Sequence, residues 1–429
     1  MKYYKYPNQE LWNEISQRPQ MDAKELMNSV EKIMKDVRDK GDKALKAYTK
    51  KFDKVEVNEI LCSEEELENA ENEISDTLKN DIRLAISNIR KFHGSQMPVA
   101  EIVTTMPGVE CWREARAIEK VGLYVPGGTA PLFSSVLMLA IPAQIAGCKE
   151  IVLCSPPQKD GKLHPAILWA AKETGVTHIC KVGGAQAIAA MTYGTESVPA
   201  VYKILGPGNQ YVTAAKMQAT LENTAIDMPA GPSEVLIIAD SSADIEFLAA
   251  DLLSQAEHGI DSQAVLVTDD KNLAEKISEE VEKQLKVLSR ADIAKESLKN
   301  SKIVLMKDLN TCVKFSNDYA PEHLIINTRN SEEIIPFVVN AGSVFVGPFT
   351  PESAGDYASG TNHTLPTAAF AKNYSGVSLD SYLKMITFQS ISEKGLDNIG
   401  PAVENMAEAE GLDAHKMAVT RRLNKIKKN

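Results

Sequence analysis

The chain has 429 residues, 44% of them hydrophobic and 24% charged, and a formal net charge of −11. That length exceeds one simple core, so more than one domain is expected. The acidic balance argues against a nucleic-acid partner or an anionic membrane surface, because proteins that bind these carry a basic face. The N-terminal stretch MKYYKYPNQELWNEIS lacks the apolar core of a signal peptide, and residues 1–21 read as an N-terminal arm. Over 22–95 apolar residues recur every three or four positions, which predicts helices. Ser63 and Glu66 have the spacing of a capping box at the start of one of them. The following EIVTTMPGVECWREARAIEKVGLYVPGG alternates as strands do, with Pro107-Gly108 as a turn.

From 121 a rhythm sets in. VGLYVPGG, EIVLCSPP, VTHICKVGG and VYKILGPG are short apolar runs ending in Gly or Pro, separated by the helix-like SSVLMLAIPAQIAG, HPAILWAAKETG and AQAIAAMTYG. Strands without polar alternation, spaced by helices, are what a parallel sheet covered on both faces requires. The rhythm restarts at SEVLIIAD (233–240) and continues through SQAVLVTDD, SKIVLMKD, HLIINT and SVFVG, with AEKISEEVEKQLKVL and SEEIIPFVVNAG as helices. The fold class is therefore α/β: two Rossmann-like parallel-sheet domains, a helical N-terminal segment and a helical C-terminal tail. The expected boundaries are 22–120 with 233–375 as a discontinuous first domain, 121–232 as the second, and 376–429 as the tail. In the tail, Arg421, Arg422, Lys425, Lys427 and Lys428 form the one basic cluster, which cations at a helix C-terminus explain. The longest apolar run, 134–147, is interrupted by Pro142 and falls short of a membrane span. Cys62, Cys111, Cys148, Cys154, Cys180 and Cys312 are scattered without a CxxC pair, as reduced thiols would be, and a cytoplasmic location is expected.

Three turns at strand ends, VPGGTAP (125–131), VGGAQA (182–187) and GPGNQY (206–211), offer backbone N–H groups and helix N-termini to an anion. None is GxGxxG, and each alone reads first as a tight connection; three on consecutive strands point to a ligand crevice. Titratable residues add a second theme. Gln255 and His258 share a helix end in DLLSQAEHG, Glu322-His323 sit in NDYAPEHL, Asp356 and His363 in GDYASGTNH, and His415 follows Glu410 in MAEAEGLDAH. Each has an ordinary reading: a histidine meeting a helix dipole, a solvated turn, an Asx turn. Together, glutamine, aspartate and two histidines make a mixed N/O donor set that suits zinc, and manganese or cobalt less closely. His93, His164 and His178 read as helix-end or strand-edge residues without a role.

The segments VGLYVPGGTAPLFSSVLMLAIPAQIAGCKEIVLCSPP, GGAQAIAA, GPGNQYVTAAK, AIDMPAGPSEVLIIAD, DLLSQAEHG, YAPEHL, TPESAGDYASGTNH and AEAEGLDAHKMAV resemble, in order, the histidinol dehydrogenase family. The likeness covers the chain from about 120 to 420, with Thr129 to Phe133 in a stretch that looks variable in that family. It implies a zinc-containing, NAD-dependent, four-electron oxidation of L-histidinol to L-histidine through the aldehyde, the last step of histidine biosynthesis. It further implies one Zn2+ per subunit on Gln255, His258, Asp356 and His415, and Glu322 and His323 as the catalytic pair. Substrate contacts would come from Ser233, Gln255, His258, His323, Asp356, His363, Glu410 and His415, and NAD+ contacts from Tyr124, Gln186 and Asn209. The implied assembly is a homodimer with shared active sites, in which the tail's Glu410 and His415 reach the partner subunit.

On this reading a neutral His323 with an ordinary pKa near 6.5 takes the alcohol proton, and Glu322 activates the water that hydrates the aldehyde. One carboxylate beside neutral Gln and His donors would leave Zn2+ net positive, ready for a neutral amine and imidazole. Alternatives are another NAD-dependent alcohol or aldehyde dehydrogenase on the same scaffold, including one with a cysteine nucleophile, and a non-catalytic NAD- or metal-binding regulator. A cysteine nucleophile requires a thiol in a polar loop, whereas most of these thiols sit in apolar runs.

Overall fold

The apolar runs that end in glycine or proline become the central strands of two parallel sheets. The computed structural model describes residues 1–19, 23–127 and 131–428. Met21 and Asp22 at the head of the first predicted helix, and Gly128, Thr129 and Ala130 of the first predicted phosphate turn, lie outside the described residues. The chain divides into two compact units, Met1–Gln96 with Ile118–Tyr382, and Met97–Ala117 with Leu383–Asn429.

In the first unit a five-stranded sheet runs in the order His178–Lys181, Glu150–Ser155, Lys120–Tyr124, Lys203–Leu205, Ala225–Ile226, parallel throughout. Successive side chains alternate between its faces. Leu123, Ile151 and Leu153 pack with the helices Phe133–Ala146 and Pro165–Glu173. Tyr124, Val152 and Cys154 pack with Gly184–Tyr193 and Gln210–Leu221. Both faces are therefore dry, which is why these strands carry no polar alternation.

The early helices complete those two layers. Ala23–Lys40 and Asp42–Phe52 join the layer of Tyr124, through Val30, Ile33, Val37 and Leu45. Glu64–Asn72 and Asp76–Gly94 join the other through Ala70, Ile82 and Ile89, with the Ser63–Glu66 capping box formed as expected. The expected grouping of 22–120 with 233–375 is thus corrected. An amphipathic stripe says that a helix must bury one face, not against which sheet.

A six-stranded sheet follows the order Lys2–Lys5, Lys302–Leu305, Gln263–Thr268, Glu234–Ala239, His323–Asn327, Ser343–Val346, again all parallel. The N-terminal arm accordingly opens with an edge strand, with Lys2 opposite Lys302. Ile245–Ala256, Lys271–Leu285 and Ala291–Ser297 cover one face. Leu309–Tyr319 and the short helix Trp12–Ile15 cover the other. The helix expected over SEEIIPFVVNAG shortens to Ser331–Ile334 and a 3-10 turn at Ile335–Phe337, because Pro336 cannot donate a helical hydrogen bond.

The second unit holds an antiparallel three-stranded sheet, Leu383–Ile391, Val109–Ala117 and Val103–Met106, and the paired helices Glu393–Ala409 and Asp413–Ile426. The tail expected to be helical therefore opens with a nine-residue strand. Its partner strand lies more than 250 residues earlier, so local periodicity carries no trace of the pairing. No helix among the described residues is long and apolar enough to cross a membrane.

Candidate active site

Glu322 and His323 sit at the amino end of the six-stranded sheet because of how the preceding helix stops. Leu309–Tyr319 ends in Ala320, whose φ of 52° lies in the left-handed region, and Pro321 bars further helix. The chain enters the His323–Asn327 strand at once, leaving Glu322 and His323 only 5% and 4% exposed. The neighbouring strand begins at Glu234, and its backbone engages both. The Glu234 N–H donates to Glu322 Oε2 at 2.9 Å. His323 Nδ1 lies 3.2 Å from the Glu234 carbonyl, which can only accept, so Nδ1 carries the proton.

His323 Nε2 is buried and has no hydrogen-bond partner among the described residues. Asp356 Oδ1 is the nearby carboxylate atom, at 3.8 Å. Burial depresses the His323 pKa to about 3, against the Glu234 carbonyl, which raises it; His258 and His363 depress it further. The expectation of an ordinary value near 6.5 is corrected, and the ring is firmly neutral at pH 7. Burial pushes Glu322 the other way, well above the usual carboxylate range, with Glu234 and Asp356 adding to the rise against the Glu234 N–H.

Beside this pair lies a donor cluster. The helix Ile245–Ala256 presents Gln255 at its C-terminus and His258 just beyond. Gln255 is fully buried, and neither its Oε1 nor its Nε2 has a partner among the described residues. The helix Glu352–Tyr357, entered from Pro351, carries Glu352 and Asp356 one turn apart on one face. Ligand atoms of His258, Glu352 and Asp356 all lie within 4.8 Å of one another. Burial raises Asp356 to about 7. It raises Glu352 strongly too, with Asp356, Glu322 and Asp251 adding their charge. His258 opens to solvent on one side, but the atoms packed around its ring lower its pKa, with Arg290 contributing.

Sequence reasoning missed Glu352, although its i, i+4 relation to Asp356 behind a proline was a usable signal. Its presence corrects the charge count. Two carboxylates, not one, share the cluster, and Glu352 Oε2 is buried without a partner among the described residues. Among the described residues, the ion-pair partners of Glu322, Glu352 and Asp356 are His323 and His363, both held neutral. Uncompensated buried carboxylates and a starved amide call for a cation, and one imidazole, two carboxylates and an amide suit zinc.

His363 is fully engaged: Nδ1 donates to the Asp356 carbonyl at 3.0 Å, and Ser135 Oγ lies 3.0 Å from Nε2. Burial lowers its pKa to about 4. A substrate contact at Nε2 would have to displace Ser135, which rides on the helix Phe133–Ala146 of the five-stranded layer. Ser233 is half-buried beside Glu234, its carbonyl accepting from the Gln263 N–H at 3.1 Å. Glu410 and His415 lie in the second unit, Glu410 capping Glu393–Ala409 and His415 in the first turn of Asp413–Ile426, both exposed.

A second site lies at the carboxyl ends of the five-stranded sheet, where a cleft of about 660 Å³ is lined by Tyr124, Gly127, Gln186, Asn209 and Tyr211, with Lys32 and Lys51 from the early helices. Tyr124 Oη accepts from the Gly184 N–H at 3.0 Å, and burial lifts its pKa to about 12. Asn209 caps Gln210–Leu221, its Oδ1 accepting from the N–H groups of Tyr211 and Val212. Gln186 Oε1 is buried without a partner among the described residues. Gly206 has φ of 127°, and a Cβ there would collide with the Tyr124 carbonyl. The glycine therefore lets two protein segments meet, a role distinct from the expected approach to an anion. Cleft size, two helix N-termini and the unsatisfied amide fit a dinucleotide.

Six free thiols complete the inventory. Burial pushes Cys62 and Cys148 up to about 12 and Cys312 higher still, while Cys154 is raised first by its hydrogen bond with Cys180. Such thiols are poor nucleophiles.

Residues 16–423 match the family model described as histidinol dehydrogenase. The chain is 59% identical over 427 residues to a histidinol dehydrogenase of Bacteroides thetaiotaomicron, covering all of both chains. It is 54% identical to a chloroplastic histidinol dehydrogenase of Arabidopsis thaliana, covering 96% of this chain and 89% of that one. The crystal structure of histidinol dehydrogenase from Elizabethkingia anophelis superposes with a TM-score of 0.96 at 54% identity, covering 100% of this chain and 99% of the other.

Proposed function

The chain belongs to the histidinol dehydrogenase family and is an oxidoreductase of histidine biosynthesis; from that premise we propose that it oxidises L-histidinol to L-histidine through L-histidinaldehyde, using zinc and two NAD+. The observation that carries the reading is His323: one ring nitrogen pinned to a backbone carbonyl, the other bare and beside carboxylates. When bound, zinc would anchor the substrate's imidazole and amine, and NAD+ would accept a hydride in each of the two oxidations.

The chain's own residues do the rest. His323 Nε2 accepts the hydroxyl proton as hydride leaves carbon, and the Glu234 carbonyl holds the ring in the tautomer this needs. Its depressed pKa makes it a weak base whose proton is quickly passed on. Glu322, raised by burial, is a stronger base than a solvated carboxylate and takes a proton from the water that adds to the aldehyde. A second proton and hydride then leave the hydrate to give the acid. Gln255, His258 and Asp356 would hold zinc, with Glu352 against the same cation. His415 and Glu410 are assigned to the same site from the partner subunit of a homodimer, and Ser233 and His363 to substrate contact. Tyr124, Gln186 and Asn209 would hold NAD+. A cytoplasmic location fits this role.

Purified protein given L-histidinol and NAD+ should form two NADH per histidine, read at 340 nm, and lose this on chelation. A folded, zinc-loaded preparation that makes no NADH would refute the reading. A cysteine-nucleophile aldehyde dehydrogenase would instead lose activity when all six cysteines are replaced by Ser or Ala.

A further inference from the structure

Glu322 and His323 take their geometry from the backbone of Glu234, and the side chain of Glu234 is itself gripped. Arg18, at the end of the N-terminal arm, donates from Nε to Glu234 Oε2 at 2.7 Å and from Nη2 to Glu234 Oε1 at 3.0 Å. The same Nη2 donates to the Tyr319 carbonyl at 2.7 Å, and Nη1 to the Ser16 carbonyl at 3.0 Å. The guanidinium stacks on the Tyr319 ring at 3.7 Å from its centroid. Tyr319 Oη donates to Gln263 Oε1 at 2.8 Å and lies 3.4 Å from Glu234 Oε2. Side-chain exposure is 10% for Arg18 and 1% for Glu234, so the pair is desolvated.

These contacts join two segments that sequence keeps far apart. Glu234 opens the strand whose backbone holds the catalytic pair. Tyr319 ends the helix that turns, through Ala320 and Pro321, into Glu322 and His323. We propose that Arg18 is a positioning residue for the reaction: its fork ties Glu234 to the Tyr319 carbonyl and thereby sets Glu322 and His323 against each other. A planar bidentate donor is required, since a lysine ammonium cannot reach two carboxylate oxygens and a carbonyl with fixed angles. Among the described residues, the hydrogen-bond partners of Arg18 are Ser16, Glu234 and Tyr319, none of them in the cluster of Gln255, His258, Glu352 and Asp356, so that cluster stands independently of it.

The inference rests on the assignment of Glu322 and His323 as the catalytic pair, and the experiment separates the two. Arg18→Met, Arg18→Lys, Glu234→Gln and His323→Ala are assayed as zinc-loaded full-length enzyme with saturating NAD+. Arg18→Met is expected to lower kcat at least about tenfold, as small misplacements of reacting groups do, with KM for L-histidinol and zinc affinity within about twofold of the parent. Arg18→Lys should recover only part of the loss, and Arg18→Met combined with Glu234→Gln should lose no more than the worse single variant. Should Arg18→Met fail to fold, Arg18→Lys with Glu234→Gln decides. A kcat per folded molecule within about twofold of the parent, or parallel losses in kcat, KM and zinc affinity, would overturn the inference. An active His323→Ala would overturn the catalytic assignment itself.

Discussion

The two parallel sheets carry their candidate sites at opposite ends. The cleft of the five-stranded sheet opens at strand carboxyl ends, where Gly184–Tyr193 and Gln210–Leu221 begin. Helix N-termini there present partial positive charge, which suits a phosphate-bearing ligand. The cluster of the six-stranded sheet gathers at strand amino ends, where Ile245–Ala256 and Leu309–Tyr319 finish. Helix C-termini carry the opposite partial charge, and buried carboxylates are added to it, so that end suits a cation. One architecture thus offers surroundings suited to an anion or to a cation according to which end of the strands is used.

If the division is real, each end can be broken without the other. The largest effect is expected from His323→Ala, which should cut kcat by about a thousandfold while leaving NAD+ affinity, measured by calorimetry, unchanged. Glu352→Gln should weaken zinc binding by about ten- to a hundredfold, read by competition with a chelating dye, again without moving NAD+ affinity. A zinc affinity equal to the parent's would remove Glu352 from the cation site. On the other sheet, Gln186→Leu should raise the Kd for NAD+ by about five- to tenfold, the worth of one hydrogen bond, and spare zinc binding.

The subtlest expectation concerns acid. His323 and His363 are held at about 3 and about 4, below the unfolded value near 6.5. Their contribution to stability is fully present above pH 6.5 and is lost as pH falls toward those values, because only the unfolded chain takes up the protons. Asp251 and Asp356, raised to about 7 by burial, act with the opposite sign and favour the folded state as pH falls from 7 to 4. A difference measurement isolates one histidine. His363→Gln should lose about 2 kcal/mol less than the parent between pH 7 and pH 5, by urea unfolding in chelator. An identical pH dependence in parent and variant would show that His363 is not held neutral.

Much of this molecule is written in short-range pattern. The apolar runs at 121–125, 150–155 and 234–239 announce buried parallel strands because a residue between two helix layers has no solvent-facing side to keep polar. Ser63 and Glu66 announce a helix start because capping acts over three residues. The motifs around Gln255, Glu322 and Asp356 mark the candidate site because the proposed chemistry needs those side chain types wherever the fold puts them. Other features depend on neighbours that are distant in sequence. The early helices chose the five-stranded sheet, and Leu383–Ile391 found Val109–Ala117. Glu352 joined the cation cluster, and the His323 pKa fell to about 3 rather than 6.5. Strand pairing, desolvation and charge all sum over atoms brought together only by folding, so tertiary structure alone decided them.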